Sequence, residues 1–261
     1  MAKQNSVIID PGHGGSDPGA VYGNRREKDD TLALAYDIGN ALEQRGIRVE
    51  YTRIGDIYNS PYEKAEIGNR SAADLFLSIH RNAMPVPGTG KGALNLVYEN
   101  TGPGALMAEN IQKNLVKAGF DDLEVQERPG IIVLRRTKMP AVLVEAGFLD
   151  HPEDNRIFDE QFDQIAQGIA DGILTTFSQL KKETEEKRYY QVQVGAYRER
   201  PRAEFLVREL AAKGFPAFLV YDDGLYKVRV GAFLQMDNGV RMEQRVRQAG
   251  YPTMLVREEE V

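Results

Sequence analysis

The chain has 261 residues, 42% hydrophobic and 28% charged, which suits one large domain or two smaller ones with packed cores. Its formal net charge of -6 resolves to -8 over residues 1–187 and +2 over 188–261, so neither part has the basic balance of a nucleic-acid binder, and no apolar run approaches the roughly 18 residues of a membrane span. Cysteine is absent, which rules out disulfides and thiolate metal sites; a metal in this chain must sit on His, Asp or Glu.

Met1–Asn5 leads directly into a strand-like segment and reads as lacking a signal peptide. The expectation is either a processed secreted form or a protein stored inside the cell until the membrane fails. Val7–Asp10 is a short buried strand, followed by the turn-rich loop DPGHGGSDPG. Thr31–Arg45 has helical apolar spacing and stops at Gly46. Ile47–Thr52, Leu75–Ile79, Leu94–Tyr98 and Ala141–Val144 are strand-like; Gly104–Ala118 and Phe162–Leu180 are helical. Continuous apolar strands alternating with helices predict, for residues 1–177, an α/β domain: a mostly parallel twisted sheet with helices on both faces.

Residues 178–187, SQLKKETEEK, read as a solvated helix end or charged linker. Residues 188–261 hold an internal repeat. YQVQVGAY at 190–197 matches YKVRVGAF at 226–233 at an offset of 36, and Gly214-Phe215-Pro216 then aligns with Gly250-Tyr251-Pro252. Two tandem strand–helix–strand units predict a small α+β, ferredoxin-like (βαββαβ) domain.

The chain has three histidines, His13, His80 and His151. His13 follows the first strand and His80 ends another, and in parallel sheets ligands gather beyond the carboxyl ends of strands. Glu145 ends a third strand on the same rim. Catalytic zinc commonly takes two His and a carboxylate and keeps a position open for water, and Glu27, in REKDD just before the first helix, suits the third ligand. A second carboxylate that carries protons is then required, and Glu145 fits. Taken singly, each residue has a plainer reading: a turn-rich or anion-binding loop around His13, a capping His80, an arginine-paired Glu145. Convergence on one rim favours the metal site. His151, in LDHPEDNR, reads as a surface or N-cap-region residue, with Asp154 and Asn155 helping to start the next helix.

The motifs IIDPGHGGSDPGA at 8–20, REKD at 26–29, NRSAADLFLSIHRNA at 69–83 and VLRRTKMPAVLVEAGFLD at 133–150 resemble, in order, the type-3 zinc N-acetylmuramoyl-L-alanine amidases. The resemblance implies zinc on His13, Glu27 and His80, a catalytic Glu145, and cleavage of the amide joining the lactyl group of N-acetylmuramic acid to L-alanine of the stem peptide. Asn82 and Arg135 are candidate substrate contacts, Arg135 beside the oxyanion or as a structural ion-pair partner. The sequence departs from the family pattern at Arg81 after SIH, at Leu94 where an acidic residue is common, and at Lys64 where arginine is common. The Pro- and Gly-rich stretch Met84–Gly104 is too short for a helix that blocks the zinc, so an open site is expected.

Residues 188–261 resemble a SPOR domain, which implies binding to glycan strands stripped of stem peptides. Gln191, Gln193, Tyr197, Lys227, Arg229 and Phe233 are the candidate contacts on the exposed sheet face. Peptidoglycan is thus the expected partner of both domains, and a monomer is expected. Two other readings remain: an inactive amidase kept for wall recognition or hydrolase activation, and a zinc peptidase or deacetylase with the same generic chemistry. Daughter-cell separation, wall turnover and mother-cell lysis in sporulation are the roles open to such an enzyme.

Overall fold

The computed structural model describes residues 4–186 and 188–258 and divides the chain into two compact units, Met1–Ser178 and Gln179–Val261. In chain order the first unit holds β1 (Ser6–Pro11), the short hairpin β2 (Val21–Tyr22) and β3 (Arg25–Arg26), α1 (Glu27–Glu43), β4 (Arg48–Tyr51), α2 (Pro61–Ser71), β5 (Leu75–Asn82), β6 (Ala93–Val97), α3 (Gly102–Lys117), β7 (Asp122–Glu127), α4 (Ile132–Arg136), β8 (Ala141–Phe148), α5 (Pro152–Glu160) and α6 (Phe162–Glu186). Six strands form one sheet in the order β4-β1-β5-β8-β6-β7. β4, β1, β5 and β8 run parallel; β6 pairs antiparallel with β8 and parallel with β7.

Strand alternation divides the core between the two sheet faces. Val7, Ile9, Leu77, Val142 and Val144 pack with Leu34 and Ile38 of α1, Ile111 and Leu115 of α3, and Ile165 and Ile169 of α6. Ile8, Phe76, Leu94, Leu96 and Leu143 face the other way, onto Val133 and Leu134 of α4 and Ile67 of α2. His80 and Glu145 share the parity of Phe76 and Leu143, so both belong to the face covered by α2 and α4.

The sequence reading passed over the β2–β3 hairpin, α2, β7 and α4. α2 opens on a capping box between Ser60 and Glu63, with Pro61 in its first turn. β7 is a polar edge strand broken by Glu124 in the left-handed region, φ 64°. α4 is too short to show a period. α1 starts at Glu27, four residues before the apolar period begins, so Glu27 stands within the helix rather than ahead of it. The first-turn charges Glu27, Asp29 and Asp30 suit the positive end of the helix dipole. The charged stretch from 178 continues α6 as helix to Glu186; residue 187 lies outside the described residues.

The second unit carries β9 (Tyr189–Tyr197), α7 (Arg200–Ala212), β10 (Ala217–Asp222), β11 (Leu225–Phe233), α8 (Met236–Gln248) and β12 (Met254–Glu258). The strands form an antiparallel sheet in the order β10-β11-β9-β12, the ferredoxin-like arrangement. Val192, Val194, Val228 and Val230 pack on Leu206, Leu210, Met242 and Val246 of the two helices.

Candidate metal centre and active site

His13 follows β1 in the left-handed region, φ 59°, a conformation that costs a non-glycine residue about 1–2 kcal/mol. Reciprocal backbone hydrogen bonds between Gly14 and Asp17, 2.9 and 3.0 Å, close the turn that holds it there. His13 Nε2 lies 3.0 Å from Glu27 Oε2, and His80 Nδ1 lies 2.9 Å from Glu27 Oε1. One ligand atom from each of the three residues lies within 4.8 Å of the other two. These imidazole and carboxylate donors, converging from α1, β5 and the β1 loop, match the two-His, one-carboxylate set of catalytic zinc.

Glycines leave the ligands their space. A Cβ on Gly12 would stand 2.6 Å from His80 Cε1, and one on Gly19 would stand 2.5 Å from His13 Cδ2 and 2.6 Å from Glu27 Oε2. Asp17 Oδ2 is 2.8 Å from His13 Nδ1, while Asp17 Oδ1 accepts from Gly19 N–H at 3.0 Å. A carboxylate accepts only, so it fixes the proton on Nδ1 and turns Nε2 toward the metal position. Both ring nitrogens of His13 face carboxylates. Burial lowers its pKa, but Glu27 and Asp17 outweigh that and raise it above 6.5. Burial raises the Glu27 pKa, yet hydrogen bonds from both histidines carry it far below the ordinary 4.5.

Glu145 lies opposite His80 on β8 and opposite Leu94 on β6. Its Oε2 is shut off from solvent with no hydrogen-bond partner. Burial, then the Glu27 charge, pushes its pKa well above 4.5. Leu94 thus puts an apolar neighbour beside the carboxyl. A cavity of about 530 Å³ opens over these groups; His13, Glu27, His80, Asn82, Lys64 and Glu145 are among its walls. Among the described residues no helix lies between β5 and α3, so the mouth is not plugged from that stretch.

Asp10, fully buried, accepts from Thr52 Oγ1 at 2.6 Å and Ser78 Oγ at 2.8 Å and pairs with Lys64 Nζ at 3.0 Å. This knot ties α2 to β1 and β5 beneath the cavity. Arg81 points away into the core: its side chain pairs with Asp30 at 2.7 Å and lies 4.1 Å from the Phe158 ring centroid. Its backbone N–H donates to Glu27 Oε1 at 3.0 Å. Arg135 is not among the residues lining this cavity; it lines a neighbouring one. His151 is the N-cap residue of α5, remote from the ligand set, and makes no side-chain cap. Asp154 does not cap that helix either; its Oδ2 accepts from Gly92 N–H and Phe148 N–H at 2.8 and 2.7 Å. Asp17 was the functional residue missed in the sequence, although its place four residues after His13 was visible.

In the second unit the bulges alter the expected sheet face. Register shifts next to Gly195 and Gly231 reverse the alternation that follows each. Tyr197 then pairs with Tyr226 and Phe233 with Tyr190, and both pack against the helix-side core rather than on the open face. Gln193 and Arg229 are register partners on the open face, with Gln191 and Lys227 at matching parity. Gln191 and Arg229 are nonetheless buried rather than exposed, and Arg229 pairs with Glu258.

The two-His, one-carboxylate cluster beside the half-buried carboxyl of Glu145 has the donor set of a metal-assisted hydrolase centre. The N-acetylmuramoyl-L-alanine amidase family matches residues 7–175, and the SPOR domain family matches 186–257. The sporulation-specific N-acetylmuramoyl-L-alanine amidase of Bacillus subtilis (strain 168) is 35% identical over 223 residues, covering 83% of this chain and 85% of its own. The amidase CwlM of Bacillus licheniformis gives the same identity and coverage. Among solved structures, an N-acetylmuramoyl-L-alanine amidase from Clostridium difficile 630 matches with a TM-score of 0.63 at 35% identity, over 67% of this chain and 97% of that one. The chain belongs to the N-acetylmuramoyl-L-alanine amidase family. It is a peptidoglycan hydrolase with an amidase catalytic domain and a SPOR domain that acts on the cell wall.

Proposed function

We propose that the chain is a zinc-dependent amidase that cuts the bond between N-acetylmuramic acid and L-alanine of the stem peptide, with residues 1–177 carrying catalysis and 188–261 binding glycan stripped of stems. The observation that carries this reading is the His13, Glu27 and His80 cluster facing a half-buried Glu145, whose Oε2 has no hydrogen-bond partner, across one cavity.

His13, Glu27 and His80 would hold the metal. Bound zinc supplies a Lewis acid that polarises the scissile carbonyl and makes an attacking water acidic enough to react near neutral pH. Glu145, poorly solvated and high in pKa, takes the proton of the attacking water and returns it to the departing L-alanine amine. Asp17 keeps His13 in one tautomer, and Asn82 stands at the cavity wall within reach of the substrate. Gln193 and Lys227, on the face opposite α7 and α8, are the residues proposed to meet the glycan, with Gln191 and Arg229 buried beside them.

Purified peptidoglycan is digested with and without chelator and the products are read by mass. Free stem peptides, no new reducing ends and loss of activity with chelator are expected; release of reducing sugar ends refutes the assignment. An inactive wall-binding relative would retain no stoichiometric zinc, and a metal assay separates that reading. Storage until mother-cell lysis is supported by likeness to a sporulation-specific relative; fractionation through growth and sporulation tests it.

A further inference from the structure

A second cavity, of about 440 Å³, lies on the other flank of α4. Ile131, Ile132 and Val133 face the catalytic cavity, whereas Leu134 and Arg135 face this one, so a single short helix forms a wall of both. The charged lining is Arg135, Lys138 and Glu99, with Tyr98 and Met139 beside them. None of the three charged side chains has an ion-pair partner among the described residues, although Arg136, next along the helix, stacks 5.6 Å from the Tyr62 ring centroid. The floor reaches Ala141, four residues before Glu145 on β8. At about 3.3 Å per residue of strand, that places its Cα about 13 Å along β8 from that of Glu145. An extended peptide advances about 3.3–3.6 Å per residue, so the third stem residue lies about 10 Å beyond the scissile bond and its side chain spans the remainder.

We propose that this cavity is a stem-peptide subsite in which Arg135 and Lys138 bind a carboxylate three residues from the scissile amide, with Glu99 receiving an adjacent ammonium group. The inference rests on the amidase reading above. Arg offers a planar fork that matches a carboxylate, and Lys adds a point charge. One basic pair facing one acid fits the zwitterionic end of a diaminodicarboxylic residue better than a lysine side chain, which would bring its ammonium to two cations. The same cations could instead take the peptide's terminal carboxylate, and the substrates below separate the two sources.

The full chain, zinc-loaded, is assayed on four N-acetylmuramoyl tripeptides. The third residue is meso-diaminopimelate, its side-chain amide, its C-terminal amide, or L-lysine. Arg135→Ala and Lys138→Ala, both at exposed positions, are compared with wild type, with Arg135→Lys as the conservative variant. For wild type, amidating the bound carboxylate raises KM about tenfold or more with kcat nearly unchanged, the loss expected of a charge-assisted hydrogen bond. Arg135→Ala raises KM by a similar factor on diaminopimelate and adds no loss on the amidated substrate, while Arg135→Lys restores part of it. Sensitivity to the side-chain amide assigns that carboxylate; sensitivity to the C-terminal amide assigns the other. Equal losses on all four substrates, or no KM change on any, overturn the subsite while leaving the amidase reading intact. Failure of wild type to cleave any of them overturns both.

Discussion

Glu145 and His80 stand directly opposite each other on neighbouring parallel strands, so the proposed proton carrier and a proposed metal ligand share one rung of the sheet. Glu145→Gln keeps the shape and removes the exchangeable charge. Turnover of muropeptides is expected to fall about 10²–10⁴-fold, the usual worth of a positioned general base, while bound zinc stays at one per chain by metal analysis. Retention of most activity would remove Glu145 from the mechanism.

Asp17 reaches the metal position only through His13. Asp17→Asn is expected to weaken zinc binding about 10–100-fold, read by competition with a chromophoric chelator, with activity recovering at high zinc. Unchanged affinity would show that the turn alone orients the imidazole.

The metal-free protein has its own pH signature. Because the His13 pKa is raised on folding, its contribution is full below 6.5 and fades as pH rises through the folded value. Because the Glu27 pKa is lowered, its contribution is present above 4.5 and fades as pH falls. Chelator-treated protein should lose thermal stability from this cluster as pH climbs past 6.5, whereas stabilisation by added zinc should grow over the same range, since the metal needs deprotonated imidazole. Calorimetry between mildly acidic and mildly basic pH checks both slopes. A metal-free midpoint that rises steadily past neutrality would contradict the assignment.

The bulges of the second unit give Tyr197 a structural role. Tyr197→Ala should destabilise that unit by about 2 kcal/mol, below the ~3–5 kcal/mol of a fully buried aromatic. Gln193→Ala should leave the unfolding midpoint nearly unchanged and weaken binding to denuded glycan in pull-down. The opposite pattern would return Tyr197 to the ligand face.

Much of this was legible before any coordinates. His80 and Glu145 stood out just after apolar runs, although β5 and β8 continue past them, His13 in the loop after a strand, and Glu27 by the ligand that two histidines still require. The repeat was legible to the residue: α7 and α8 begin at Arg200 and Met236, the same offset of 36 apart. What escaped depends on three dimensions. A bulge is a pairing event, so nothing in QVGAY by itself says that Tyr197 leaves the parity of Gln193. Arg135 sits two residues from the wall of the catalytic cavity in sequence, yet α4 turns it into another. The α2 start is a different kind of miss, because Ser60 and Glu63 spelled a capping box in plain view.

The hydrogens on Gly12 and Gly19 have a consequence for how this site tolerates mutation. Substitution at most positions trades one set of contacts for another. Here even a methyl group would occupy the space of an imidazole or of the Glu27 carboxylate. A saturation library across residues 10–20, selected for wall lysis, should therefore return glycine at 12 and 19 as strictly as histidine at 13. The catalytic centre is encoded as firmly by side chains that are missing as by those that are present.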